Sequence, residues 1–470
     1  MKKTLALALS LSLAVACFTG CGEKKGTTSK SAPDDNDTVV TVWTGDGGGQ
    51  AVWEKLVDEW NASEGNEKDV YIKWETVMDA QQHDVAQQSG QLPELVALSG
   101  ARIKKFQPLG DIIPIEDLPG GKEFLEEYDM PGTEGNNVFD GKQYTVQRKA
   151  VTSGLAYNKD LFKKAGIVDK NGEAKAPETI SEMREAAKKI TALGNGVYGF
   201  AFPLKFSTYY TVEMQSGNSF DLDNPASKID LDTLTVSYAG YKDMYQWVLD
   251  LKKDGSLFPG AETLDNDTAR AYFSAGIVGM IPAVSWDVGV YTTQFPAECD
   301  WDVCRFPTLD GYEFTENVAS ISGGMSISKN ALKNEKTAKA TMEAYKFIYS
   351  LETRTALYEA GIDISCKKDV LEVADESKLD PRLIKFATFV PDDLKSYPTE
   401  SYTIEGENWS TLFQKVWMGD ISLDAAIKDY AARNTAGLRK AVKQGTYDVA
   451  HQREIDEEKR ADFEAKKAAK

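Results

Sequence analysis

Phe139-Asp-Gly-Lys-Gln-Tyr-Thr-Val-Gln-Arg-Lys-Ala-Val-Thr-Ser-Gly-Leu-Ala-Tyr-Asn-Lys-Asp-Leu-Phe-Lys-Lys-Ala-Gly166 is the stretch whose reading decides the fold. Asp140-Gly141 is a turn signal, and Tyr144, Thr145, Val146 and Val151 behind it are the β-branched and aromatic residues of an extended segment, so a strand over Tyr144–Val151 is expected to leave the turn. Asn158 then stands where an N-cap accepts a backbone N–H, Asp160 falls in the first helical turn, and Gly166 can close the far end in a left-handed conformation. Strand passes directly into short helix.

Outward from there the same alternation recurs. Thr38-Val-Val-Thr-Val-Trp43 reads as a buried strand, the glycine-rich Thr44–Gly49 as a turn, and Gln50–Asn61 as a helix with Val52, Trp53, Leu56, Val57 and Trp60 on one side. Val70, Ile72 and Trp74 alternate with polar residues, and Pro93–Leu98 is another apolar strand after a glutamine-rich helical stretch near Gln81–Gln88. Thr179 and Glu182 form a capping box ahead of the stripe Met183, Ala186, Ala187, Ile190, and Tyr241–Leu251, Thr337–Leu351 and Leu423–Val442 are further amphipathic helices. Ile277–Ile281 and Ile321–Ser328 read as strands. Such alternation implies an α/β fold whose parallel strands are joined by helical crossovers. Asp456–Lys470 alternates charge with few apolar residues, which predicts a solvated, frayed helix.

A chain of 470 residues exceeds what one core serves, so two domains are expected. Net charge is −19; without residues 1–20, which hold Lys2 and Lys3, 52 basic residues face 73 acidic, and nucleic acid and anionic membrane surfaces are disfavoured as partners. Met1-Lys-Lys, the apolar run Leu5–Phe18 and the small residues before Cys21 form an export signal over residues 1–20, too short to span a bilayer. Phe18-Thr-Gly-Cys21 resembles a lipobox with Phe in place of the usual Leu, and Ala14-Val-Ala-Cys17 is a weaker competing site; the polar tether of residues 21–37 favours Cys21 as the lipidated residue. Cys299 and Cys304 would lie about 16 Å apart in a strand, too far to bridge each other. They and Cys366 read as small buried hydrophobes, with a disulfide from one of the first two to Cys366 as the alternative.

Asp140-Gly-Lys, Tyr157-Asn-Lys-Asp-Leu-Phe-Lys-Lys-Ala-Gly166 and Pro177-Glu-Thr-Ile-Ser-Glu182 resemble the extracellular solute-binding proteins of ABC importers, in the sugar-binding branch of the relatives of maltose-binding protein. The resemblance covers roughly residues 38–445. It implies a two-lobed periplasmic-binding-protein type II-like fold, each lobe a mixed sheet flanked by helices, with the ligand cleft between lobes. The implied divisions are 38–148 plus 320–350 for the first lobe, 149–319 plus 351–450 for the second, and 451–470 as a charged helical tail. It further implies a monomer that carries a small-molecule carbohydrate, an oligosaccharide, to permease subunits from the outer face of the cytoplasmic membrane. Only the N-terminal lipid anchor would touch that membrane.

Sugars are bound by aromatic faces over the C–H side of the ring and by amide, carboxylate and guanidinium groups on the hydroxyls. At positions that match the family's cleft-facing stretches, this chain carries Trp43, Asp46, Gln81 or its neighbour Gln82, Ser99, Arg148, Tyr209, Tyr210, Trp286, Asp287 and Trp409. Gln147-Arg148 replaces the family's apolar residue and Pro, which opens the cleft to an acidic sugar. Val151 stands where maltose-binding relatives have an acidic ligand group, which points away from maltose. Gly45-Asp-Gly-Gly-Gly49 fits neither nucleotide-binding glycine pattern, and the lone His83 and His451 and the incomplete loop Asp221-Leu-Asp-Asn-Pro225 build no metal site. No catalytic residue and no cofactor are expected. The alternatives are a surface-anchored glycoside hydrolase, because Asp and Glu are abundant, and a binding protein for a non-sugar solute.

Overall fold

β7, Lys149–Asn158, is buried at every one of its ten positions and organises the chain. The computed structural model describes residues 32–77, 79–391, 397 and 400–469. The export signal and Cys17 and Cys21 therefore lie outside the described residues, as does the tether up to residue 31. Along its first residues β7 pairs antiparallel with β13 (Ala319–Ser322) and β15 (Ile364–Ser365); further on it pairs with β11 (Val278–Val284) and β12 (Trp301–Cys304). A strand covered on both faces needs small and apolar residues throughout, which Ala150-Val-Thr-Ser-Gly-Leu-Ala-Tyr157 supplies. Gly154 is one required glycine, because a Cβ there would sit 2.6 Å from the Cys304 carbonyl oxygen.

The strand starts later than expected. Asp140 and Gly141, at φ 53° and 69°, turn a two-rung hairpin of β5 (Val138–Phe139) and β6 (Lys142–Gln143), and Tyr144–Arg148 lies outside any strand. The ladder begins at Lys149, where Ser322 and Ser365 come alongside. At its other end the Asn158 side chain accepts the Leu161 N–H at 3.0 Å and caps α4 (Lys159–Lys164), which Gly166 closes at φ 68°.

A first sheet runs β2-β1-β3-β14-β4, with β1 (Thr38–Thr44) parallel to β2 (Val70–Thr76) and β3 (Leu95–Val96), and β14 (Ser326–Ser328) antiparallel to β3 and β4 (Ile112–Ile113). Of its helices, α1 (Gln50–Ala62) and α8 (Glu335–Tyr349) put Trp53, Val57, Tyr345 and Ile348 into one core with Val40, Ile72 and Leu95, and α2 (Ala80–Gln88) and α3 (Gly100–Phe106) flank β3. The second sheet runs β12-β7-β11-β8, where β8 is Tyr198–Phe200. Its main core collects Met183 and Ile190 of α5 (Ile180–Thr191), Tyr245 and Trp247 of α6 (Tyr241–Lys253), and Trp409 and Phe413 of α10 (Trp409–Met418). α7 (Asn266–Ser274) packs its Phe273 on the opposite face of that sheet, and Ala426 of α11 (Leu423–Gln444) joins the main core. The sheets are mixed, not purely parallel, because β14, β13 and β12 return the chain antiparallel to their neighbours.

Leu357 of α9 (Leu351–Glu359) and Ile362 belong to the first core, whereas Ile364 packs in the second lobe. α9 follows α8 with only the Ser350 cap between them, and its Tyr358 packs with Ile364 in the second lobe's core, so this segment contributes to both cores. The last helix, α12 (Val449–Ala469), is docked, not free in solvent. Gln452 and Ile455 are buried, and Arg453 reaches Asp232 at 2.6 Å while Arg460 and Lys467 hold Asp223 at 2.6 and 2.9 Å. Its few large apolar residues, Ile455 and Phe463, fall at helical spacing and form the inward stripe. Among the described residues, no helix is long and apolar enough to cross a membrane. Cys299, Cys304 and Cys366 are free thiols, with burial pushing them up to about 11, about 12 and about 11.

Candidate functional site

Because β1 and β3 are parallel, both release their chains at the same edge of the first sheet, and the loops there form one wall of a cleft of about 590 Å³. Thr44–Asp46 follow β1, Ala97–Ser99 follow β3, and Asn136, Asn137, Thr145 and Gln147 come from the hairpin region. Lys149, Ile321–Met325 and, from the second lobe, Trp286 complete it. Ser99 opens α3 without a side-chain cap bond, which leaves its hydroxyl for the cleft. Asn137 is pinned, donating to the Thr145 carbonyl at 2.8 Å and accepting the Thr133 N–H at 2.8 Å. Gly324 must be glycine: a Cβ there would lie 2.4 Å from Thr145 Oγ1.

Beneath this wall lies a four-membered charge cluster. Asp46 accepts from Arg148 Nη2 at 2.8 Å and from Lys149 Nζ at 2.6 Å; Asp363 pairs with Arg148 Nη1 and lies 3.2 Å from Lys149 Nζ. Arg148 also lies 4.8 Å from the Trp53 ring. Side-chain exposure grades from 1 % for Arg148 and 4 % for Asp363 to 10 % for Lys149 and 18 % for Asp46, so only the last two reach the cleft. Burial on its own would raise the Asp46 carboxyl, but Lys149 and Arg148 outweigh it and hold it at about 2. Burial lowers the Lys149 ammonium, against the pull of Asp46.

Asp46, Ser99 and Trp286 thus line the cleft, with Arg148 directly below it. Arg148 turns its guanidinium into the cluster, where it is 1 % exposed. Trp43 stands at the end of β1, its Nε1 donating to Glu75 at 2.7 Å and its ring stacked on His83 at 5.9 Å. Gln81 is exposed at the start of α2, where Asp79 caps its backbone N–H. Tyr209 is 49 % exposed on a π-helical turn outside the cleft lining; the side chain of Tyr210 lies outside the described residues. Asp287 faces away into the second lobe, where it pairs with Arg270 and accepts the Val284 N–H at 2.8 Å. Trp409 is core, packed edge-on against Tyr241 and Tyr245 at 4.9 and 5.1 Å.

Sequence reading did not assign Lys149, Gln147, Thr145, Asn136 or Asn137 to the site, although it named Gln147 beside Arg148. The signal for the first two was present, since they flank Arg148 in the lobe-crossing stretch. Asn136-Asn137 lay in an unassigned loop.

The model of the family described as bacterial extracellular solute-binding protein matches residues 44–353. Among curated relatives, a Brucella abortus protein named only as a binding protein is 24 % identical over 325 residues, covering 67 % of this chain and 72 % of that protein. The sn-glycerol-3-phosphate-binding periplasmic protein of Brucella abortus is 26 % identical over 260 residues, 53 % of this chain and 56 % of that protein. Among solved structures, one from a study of xylan utilisation by Caldanaerobius polysaccharolyticus superposes with TM-score 0.65 at 19 % identity, covering 84 % of this chain and 99 % of the other. The maltose/maltodextrin-binding domain of Bdellovibrio bacteriovorus, bound to maltotriose, gives 0.62 at 17 %, covering 86 % and 100 %. At such identity the superpositions speak for the fold alone, the two-lobed type II architecture. The family match spans well over half of the sequence, and the chain belongs to the bacterial extracellular solute-binding proteins.

Proposed function

We propose that this chain is the substrate-binding component of an ABC importer, and that it closes its two lobes on a carbohydrate and presents it to the permease subunits. The observation that carries the reading is the make-up of the cleft. Hydroxyl and amide groups of Ser99, Asn136, Thr145 and Gln147 line the first lobe's side and the Trp286 indole comes from the second, the pairing that hydroxyl-bearing rings need. Asp46 and Lys149, the only charged residues of the cleft among the described residues, are already matched, which favours a neutral sugar over an anionic solute such as a glycerol phosphate. Two-carboxylate hydrolysis finds one carboxylate among the described cleft residues, Asp46, and two cations hold it. No covalent step is assigned.

The lobes are taken as 38–148 plus 320–350 and 149–319 plus 351–450, with Leu357 and Ile362 reaching back to the first core while Tyr358 and Ile364 pack in the second. Residues 1–20 direct export, and Cys21, with Cys17 as the competitor, carries the lipid that anchors a monomer to the outer face of the cytoplasmic membrane. Isothermal calorimetry against neutral oligosaccharides, with sn-glycerol 3-phosphate as the contrasting solute, tests the assignment. Micromolar binding of a sugar, about −8 kcal/mol, is expected. Trp286→Ala should weaken it about tenfold or more. Binding of the phosphate and of no glycan would replace the carbohydrate reading.

A further inference from the structure

The geometry points to a second sugar-binding surface, continuous with the cleft and roofed by the C-terminal helix, that takes the distal rings of a neutral oligosaccharide. This rests on the carbohydrate reading above and extends it to a ligand longer than the cleft. A cavity of about 770 Å³ lies on the second lobe between the segment entering β13 and α12, with Phe220, Phe314, Asn317, Val318, Ala319 and Phe463 in its lining. Side chains alternate along a strand, so Ala319 and Ile321 share one face of β13, about 7 Å apart. Ile321 lines the cleft and Ala319 lines the second cavity, so the two openings follow one strand face. Val318, at the junction, packs in the same small cluster as Trp286, the cleft's aromatic residue.

The chemistry of the second cavity suits sugar rings. Phe314 is 38 % exposed, with the Arg305 guanidinium 4.6 Å from its ring. Phe220 is set edge-on to Tyr312 at 5.1 Å, and Phe463 is flanked by Arg460 and Lys467 at 5.4 and 5.7 Å. These contacts fix ring positions before any ligand arrives, which lowers the entropy lost on binding. Asn317 supplies the polar element: it is 6 % exposed and its Nδ2 finds no acceptor among the described residues. A buried amide donor left unpaired is costly to the fold; Asn317 Nδ2 is closed off from the cavity in this structure, and a rotation of the amide is what brings it to a ring or hydroxyl oxygen of a sugar. Among the described residues the two cations in the lining are paired, Lys466 with Glu316 at 3.9 Å and Lys467 with Asp223 at 2.9 Å, which favours a neutral ligand over an anionic one.

The test is calorimetry on the mature full chain with two neutral series, α-1,4-gluco- and β-1,4-xylo-oligosaccharides, each from the monosaccharide to the hexasaccharide. Phe314→Ala, Phe463→Ala and Asn317→Ala are compared with the wild type, and thermal melting reports on folding. The expected result is that wild-type affinity climbs with chain length in the series that binds. The penalty of each substitution should grow with length and reach about tenfold for the longest sugars. Affinity that climbs with length identically in all four proteins, or that stops at a sugar filling the cleft alone, would overturn the second surface and leave the cleft assignment standing. Failure of the wild type to bind any glycan would remove the carbohydrate reading, and this extension with it.

Discussion

Asp46 and Asp287 are both carboxylates held by a buried arginine, Arg148 for one and Arg270 for the other, and both cap the exit of a strand toward the lobe boundary. Their titration differs in sign. Burial pushes both up; at Asp46 two cations override it and the carboxyl settles at about 2, while at Asp287 burial exceeds the pull of Arg270 and the carboxyl stays above its ordinary value. One guanidinium does not repay full burial of a carboxylate, whereas a guanidinium and an ammonium together do. The richer cluster sits where the chain crosses between lobes and reaches the cleft; the poorer one is sealed inside the second lobe.

Substitutions can break this contrast. The largest expected effect is from Arg148→Met, which strips Asp363 and Asp46 of their shared partner and should cost about 3–5 kcal/mol in urea unfolding. Asp46→Asn comes next, at about 2 kcal/mol at neutral pH. Its pH dependence sharpens the comparison. A carboxyl lowered by folding stabilises above its unfolded value of 3.8, and that gain is lost as pH falls toward about 2, so the gap between wild type and Asp46→Asn should close across that window. Asp287→Asn should cost least, about 1 kcal/mol or less at neutral pH. The raised carboxyl opposes folding when ionised and stops doing so as pH falls, and Arg270 keeps Asp267 at 3.0 Å. If Asp287→Asn proves as damaging as Asp46→Asn, the two clusters are equivalent and the contrast fails.

Local rules were legible in the sequence. Asn158 caps its helix; Thr179 accepts the Glu182 N–H at 3.2 Å as a capping box requires, although the Glu182 carboxylate reaches back to Glu178 N–H. Val70, Ile72 and Trp74 form the strand their alternation foretells. What escaped depends on partners remote in sequence. Arg148 looks like a ligand group because its neutralising Asp363 stands 215 residues away, and nothing in Gln147-Arg148-Lys149 announces it. Trp409 looks like a stacking platform, yet Leu412, Phe413 and Val416 continue its side of the helix, the mark of a core stripe. The late start of β7 could not be read either, since β13 and β15 decide where its ladder begins.

The placement of β7 also limits how the molecule can move. Its paired length is bordered by gaps in the ladders at Thr145–Gln147, Gly323–Met325 and Gly361–Asp363, the unpaired backbone on which a swing of one half against the other would draw. The Tyr349 hydroxyl spans two of these gaps, donating to the Val146 carbonyl at 2.8 Å and accepting the Met325 N–H at 2.8 Å. Two of the three gaps are thus tied to one phenol, which couples the backbone on the two sides of the crossing.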